Sequence, residues 1–167
     1  MTIVLGIDPG SRVTGYGLVS IAGHRVKHIA NGCFRLGDDA LDERLLRLFD
    51  GLAEVIREHQ PHEAAIEKVF MNRNADSALK LGHARGVAML CSRQAGLQVA
   101  EYAATKIKQA IVGRGHAEKG QVQHMVRALL ELDETPQADA ADALAAAICH
   151  AHMREGIARI ALAGGAR

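Results

Sequence analysis

Tryptophan is absent from this chain, and only two tyrosines and three phenylalanines occur. With so few rings, an aromatic outside the core carries more information than usual. Cysteine is also sparse: Cys33, Cys91 and Cys149 are odd in number, widely spaced and never in a C-x-x-C pattern. That excludes a disulfide frame and a structural zinc site, and it fits a reducing compartment. No apolar run approaches the roughly 18 residues needed to cross a bilayer. No basic segment followed by an apolar stretch opens the sequence, so no signal peptide and no membrane partner are expected, and the expected location is cytoplasmic. A surplus of either charge is missing too, because 20 Lys and Arg face 19 Asp and Glu for a net +1. A nucleic-acid binder with this balance has to concentrate its cations locally. Repeats, low-complexity blocks and linkers are lacking, so residues 1–167 read as one domain with its last few residues, from Ala163, disordered.

What is present is a regular order of elements. Residues 2–8, 13–21 and 25–35 read as strands, the last two joined by Ala22-Gly23-His24, which implies an antiparallel meander. Leu41 to Gln60 read as a helix, because the apolar residues from Leu45 to Ile56 recur at helical spacing and Pro61 stops the pattern. Residues 63–69 read as a strand. Residues 74–95 read as a helix capped by Asn74 and stopped by Gly96. Residues 97–102 read as a strand and 104–112 as a short helix. A Gly-rich loop, 113–120, precedes a helix at 121–132. Thr135-Pro136 predicts the start of a final helix, with Thr as cap and Pro in the first position. The packing expected is α/β: a five-stranded mixed sheet flanked by helices, its first three strands antiparallel.

Acidic residues stand at the ends of these elements. Asp8 ends the apolar strand Ile3-Val4-Leu5-Gly6-Ile7 and is followed by Pro9-Gly10. The carboxyl end of a buried strand is where open α/β sheets place their sites. Glu67 ends Ala64-Ala65-Ile66, and Asp139 and Asp142 lie three apart on an alanine-rich helix, so they share one face. Singly, each has an ordinary reading as a turn residue, a solvated strand end or a dipole partner. Neighbouring strands 1 and 4 would bring Asp8 beside Glu67, and a helix of alanines can lie close to the sheet. Converging carboxylates raise one another's pKa unless a cation relieves them. Oxygen-only donors point to Mg²⁺ or Mn²⁺ rather than Zn²⁺. Two such ions about 3.5–4 Å apart suit in-line hydrolysis of a phosphodiester.

The cations cluster where such a site would need them. Lys106, Lys108, Arg114, Lys119 and Arg127 fall within 104–127 against the single acid Glu118. They form either a solvated surface or a grip on phosphates. Phe70 enters the polar stretch Met71-Asn72-Arg73-Asn74 and either lids the core or stacks on an unpaired base. Arg12 and Arg73 are further candidates for a phosphate contact.

Three stretches together resemble the acidic motifs of the bacterial RuvC Holliday junction resolvases: Gly6-Ile7-Asp8-Pro9-Gly10-Ser11, Glu67-Lys68-Val69-Phe70 and Gln137-Ala138-Asp139-Ala140-Ala141-Asp142-Ala143. The runs 74–82 and 122–126 resemble that family as well. The resemblance implies an RNase H-like fold and a Mg²⁺-dependent homodimeric endonuclease that nicks four-way junction DNA symmetrically, leaving 5′-phosphate and 3′-hydroxyl ends. It implies Asp8, Glu67, Asp139 and Asp142 as the catalytic and metal-binding set, with two ions expected. By the same resemblance Phe70 would help to open the junction, Lys108 and Lys119 would contact DNA, and RuvA and RuvB would be partners. The helix at 74–95, with Ala78, Gly82, Gly86 and Ala88 among leucines, serves either as the dimer interface or as core packing. Two other classes compete. An actin-like ATPase would need a second phosphate loop, which 167 residues do not supply. A non-catalytic module for branched DNA would gain nothing from clustered carboxylates.

Overall fold

The computed structural model describes residues 1–68, 75–115 and 118–164. Strands β1 (Thr2–Asp8), β2 (Val13–Ala22) and β3 (Arg25–Arg35) form an antiparallel meander. The free edge of β1 pairs in parallel with β4 (Glu63–Lys68), and β4 pairs in parallel with β5 (Gln98–Ala103), giving the order β3-β2-β1-β4-β5. A parallel pair needs a crossover. Helix α1 (Leu41–His59) makes one between β3 and β4, and α2 (Ala75–Gln94) lies between β4 and β5. Helices α3 (Ala104–Val112), α4 (Lys119–Leu129) and α5 (Ala138–Gly164) follow.

Strand alternation sorts these helices into two layers. Leu5, Ile7, Leu18, Ala64 and Ile66 face Leu48 and Leu52 of α1 and Ala84 and Ala88 of α2. On the opposite face Val4, Val19, Ile21 and Ala65 pack with Ile107 of α3, Val122 and Val126 of α4, and Leu144 and Ile148 of α5. Asp8 follows Val4 by four residues and Glu67 follows Ala65 by two, so both carboxylates fall on this second face.

Helix α5 reaches the sheet more closely than side chains ordinarily permit. A Cβ on Gly6 would lie 2.0 Å from the Ala143 carbonyl oxygen, and one on Gly15 would lie 1.9 Å from that of Asp139. Gly6 and Gly15 are therefore required for backbone-to-backbone approach. Apart from Asp139, Asp142 and Leu144, residues 138–147 are alanines, so nothing on the helix holds it away.

The last two helix starts differ from expectation. Helix α4 begins at Lys119, inside the stretch read as loop, because the Glu118 and Gln121 side chains form a reciprocal capping box with the backbone. It also ends at Leu129, three residues before the predicted limit. Helix α5 begins at Ala138 rather than Pro136, with the Ala141 N–H donating to the Gln137 carbonyl at 2.8 Å. Pro136 is buried ahead of it, and its carbonyl accepts from Gln123 Nε2 at 3.1 Å, so it braces the α4–α5 connection instead of opening a helix. Helix α5 runs through Ala163 to Gly164, where the sequence predicts disorder; the Asn74 cap and residues 165–167 lie outside the described residues.

Candidate active site

In the β1–β4 register Ile7 stands opposite Ile66, so the next positions, Asp8 and Glu67, are side by side at the carboxyl ends of adjacent parallel strands. Helix α5 arrives above them because Ala143, the neighbour of Asp142, rests on Gly6. The result is a pocket of about 180 Å³ lined by Asp8, Glu67, Asp142, Lys108, Ala104, Ile107 and Val122. Three acids from β1, β4 and α5 thus share one cleft with a lysine from α3. Buried Ile107 and Val122 form its apolar wall, which strengthens electrostatic interactions within it.

Asp139 is placed differently from the other three acids. It lies one turn earlier on α5, over Gly15, and does not line the pocket. Asp8, Gly15 and Cys33 line up across β1, β2 and β3. Burial pushes the Cys33 thiol up; a backbone hydrogen bond at Ala140 works against this, and the negative charges of Asp139 and Asp8 add to it. Asp139 and Asp8 therefore both face Cys33, from α5 and from β1.

The turn that follows Asp8 is pinned from two sides. Thr14, fully buried, donates its Oγ1 hydrogen to the Gly10 carbonyl at 3.0 Å and accepts from the Gly10 N–H at 3.2 Å. Arg44, buried on α1, donates to the Ser11 carbonyl at 3.0 Å. Neither residue was singled out in the sequence. Thr14 looks like an ordinary strand residue and Arg44 like an ordinary solvated charge in the first turn of a helix.

Among the described residues, Lys108 is the predicted basic contact that lines the pocket. Lys106 on α3 and Arg114 beyond it are exposed. Arg12 pairs with Asp38 at 2.9 Å, both side chains about three-quarters exposed at 75% and 77%. Such a pair contributes little and can be exchanged for another anion. Lys119 opens α4, and its side chain, like Phe70 and Arg73, lies outside the described residues.

The donor set suits a hard divalent cation, since Asp8, Glu67 and Asp142 offer carboxylate oxygens alone. Among the described residues no group of three or more His, Cys, Asp or Glu side chains is drawn close enough to hold an ion.

A sequence profile described as "Crossover junction endodeoxyribonuclease RuvC" matches residues 4–150. A protein with that description from Shewanella amazonensis is 56% identical over 164 residues, covering 98% of this chain and 94% of its own. Among solved structures, Thermus thermophilus RuvC in complex with a Holliday junction substrate is 34% identical with a TM-score of 0.87, covering 93% of this chain and 97% of that one. The yeast mitochondrial Holliday junction resolvase Ydc2, at 13% identity and a TM-score of 0.64 over 91% of this chain and 80% of that one, shares the fold.

Proposed function

Because the chain belongs to the RuvC family of crossover junction endodeoxyribonucleases, we propose that it resolves four-way DNA junctions by metal-dependent hydrolysis in the cleft lined by Asp8, Glu67, Asp142 and Lys108. The observation that carries this reading is the meeting of three carboxylates from β1, β4 and α5 with a lysine from α3 in one pocket. The protein is an endonuclease with an RNase H-like fold, and one domain, residues 1–167, supplies each active site.

Mg²⁺, two ions per site with Mn²⁺ as a substitute, is the proposed cofactor, held by Asp8, Glu67, Asp139 and Asp142, of which Asp8, Glu67 and Asp142 line the pocket. When bound, the ions supply a polarised nucleophile and neutralise charge on the phosphoryl oxygens. The residues of the chain do the rest. Asp8 and Glu67, fixed side by side by the parallel register, define the floor on which the scissile phosphate sits. Lys108 stabilises the oxygen that departs as a 3′-hydroxyl, leaving a 5′-phosphate. Ile107 and Val122 keep bulk water from the reacting group. Lys106, Arg114, Lys119, Arg12 and Arg73 position the DNA backbone, and Phe70 props open the junction centre.

A four-way junction has approximate two-fold symmetry, which a C2 dimer matches with two identical sites. The surface that favours this is a stripe on α2. Leu79 and Leu90 are 65% and 62% exposed, and a Cβ on Gly82 or Gly86 between them would meet nothing. RuvA and RuvB are the proposed partners, in the cytoplasm. No helix among the described residues is long and apolar enough to cross a membrane.

Asp8→Asn tests the assignment. Cleavage of a synthetic four-way junction should fall by more than about a thousandfold, as expected when a charge-stabilising group is lost, while junction binding by gel shift stays near wild type. Cleavage that persists in this variant would remove Asp8 from the chemistry.

A further inference from the structure

We propose that Glu63, His150 and Tyr102 form a register clamp between β4 and α5, whose task is to position Asp142 against Glu67 and Asp8. The proposal rests on the active-site assignment above and concerns a second contact between the same two elements. Glu63 and Glu67 are four residues apart on β4, about 13 Å at strand rise, and share a face. Asp142 and His150 are eight residues apart on α5, about 12 Å at helix rise. Strand and helix therefore meet at two matched points, one in the cleft and one at its far end.

The far contact is fully connected. The Glu63 carboxylate accepts from His150 Nε2 at 2.6 Å and from Arg154 Nε at 2.8 Å through the same oxygen. The Tyr102 hydroxyl lies 2.8 Å from His150 Nδ1. With the imidazole hydrogen on Nε2, Nδ1 accepts from the tyrosine, and each hydrogen finds one acceptor. Tyr102 also stands opposite Glu67 in the β4–β5 register, so it leads back from the cleft to the clamp. Burial alone would raise the Glu63 carboxyl; hydrogen bonds from His150 and Arg154 outweigh it and hold it below its ordinary range.

Between the two contacts α5 buries Ala143, Ala145, Ala146 and Ala147, with Leu144 and Ile148 as its large side chains. Methyl groups make shallow ridges, which resist sliding or rotation weakly. A slip of one residue would move Asp142 about 1.5 Å along the axis and turn it about 100° from the cleft. Directional bonds to a part-buried carboxylate reinforce, at the far end, the register that the backbone contacts at Gly6 and Gly15 set near the cleft. Ion pairs taken out of water are poor sources of net stability compared with apolar packing, so position is what this one contributes.

The test separates position from stability. Glu63→Leu with His150→Leu replaces the clamp by apolar side chains, and Glu63→Gln keeps an acceptor for His150. The double variant should keep its junction affinity but lose about tenfold in kcat, since ångström-scale misplacement costs up to a hundredfold. Its Mg²⁺ affinity by calorimetry should weaken by a similar factor, and Glu63→Gln should recover most of both. Wild-type kcat and Mg²⁺ affinity in a folded double variant would overturn the clamp. So would losses that a core variant of equal Tm, such as Leu52→Val on the opposite face, reproduces. Should the double variant not fold, Tyr102→Phe carries the same measurements, with about threefold effects expected and no change overturning the proposal. An inactive Asp8→Asn beside an unaffected clamp variant would sink the clamp alone, whereas an active Asp8→Asn would sink the site reading first.

Discussion

At the scale of single residues, environment rather than residue type distinguishes the ionisable groups. Asp142 and Asp139 belong to one helix face, yet one lines the cleft and the other stands over β2. Lys108 and Lys106 are two apart on α3, yet one is half-buried at the cleft and the other exposed. Tyr102 offers a prediction of the same kind. Burial, with smaller contributions from Cys149 and Glu63, pushes its phenol from 10.0 up to about 12. The unfolded chain releases this proton near pH 10.0 while the folded chain keeps it to about 12, so its contribution is intact below 10 and is lost as pH rises between those values. Denaturant midpoints measured from pH 9 to pH 12 should therefore fall less steeply in Tyr102→Phe than in wild type. Parallel curves would mean that the phenol ionises as readily folded as unfolded.

At the scale of elements, the decisive contact is that of α5 with the sheet. Gly6→Ala would force a Cβ to within 2.0 Å of the Ala143 carbonyl oxygen, and backbone on both sides cannot yield cheaply. Loss of about 3 kcal/mol or more is expected, at the upper end of overpacking costs, together with loss of cleavage as Asp142 is pushed off the cleft. Gly82→Ala on α2 is the contrast, because its Cβ would meet nothing. In an open helix position that change should stabilise by about 0.5–1 kcal/mol. Urea unfolding of both variants checks the pair, and a harmless Gly6→Ala would show that α5 does not sit where described. The strands and α1 were legible from apolar patterning, and α2 from the glycine that stops it. The start of α5 was not, because Thr135-Pro136 carries a good local signal that the Gln123 contact to Pro136 overrides.

At the scale of the whole molecule, net charge is near zero, so affinity for DNA must come from a local field rather than from the protein's overall charge, and the proposed source is the basic segment 104–127. The uncovered apolar stripe of α2 belongs to this scale as well. Leu90→Asp, at a site 62% exposed in the single chain, should leave the fold intact and convert the proposed dimer to a monomer in sedimentation. Paired nicking of a junction should then give way to single, unsynchronised nicks. A variant that still sediments as a dimer would place the interface elsewhere.

The sequence by itself determined the local facts: which residues form strands and helices, that Asp8 and Glu67 end apolar strands, that Asp139 and Asp142 share a helix face, and that their motifs resemble one nuclease family. Period and composition encode these within a few turns of chain. Only the tertiary structure decided that Asp8 stands beside Glu67 and that, among the described residues, Asp142 and Lys108 line the same pocket as these two acids. Those outcomes depend on sheet order and on how α5 is rotated against Gly6 and Gly15. That rotation is set by backbone contact between positions more than a hundred residues apart, where no local pattern reaches.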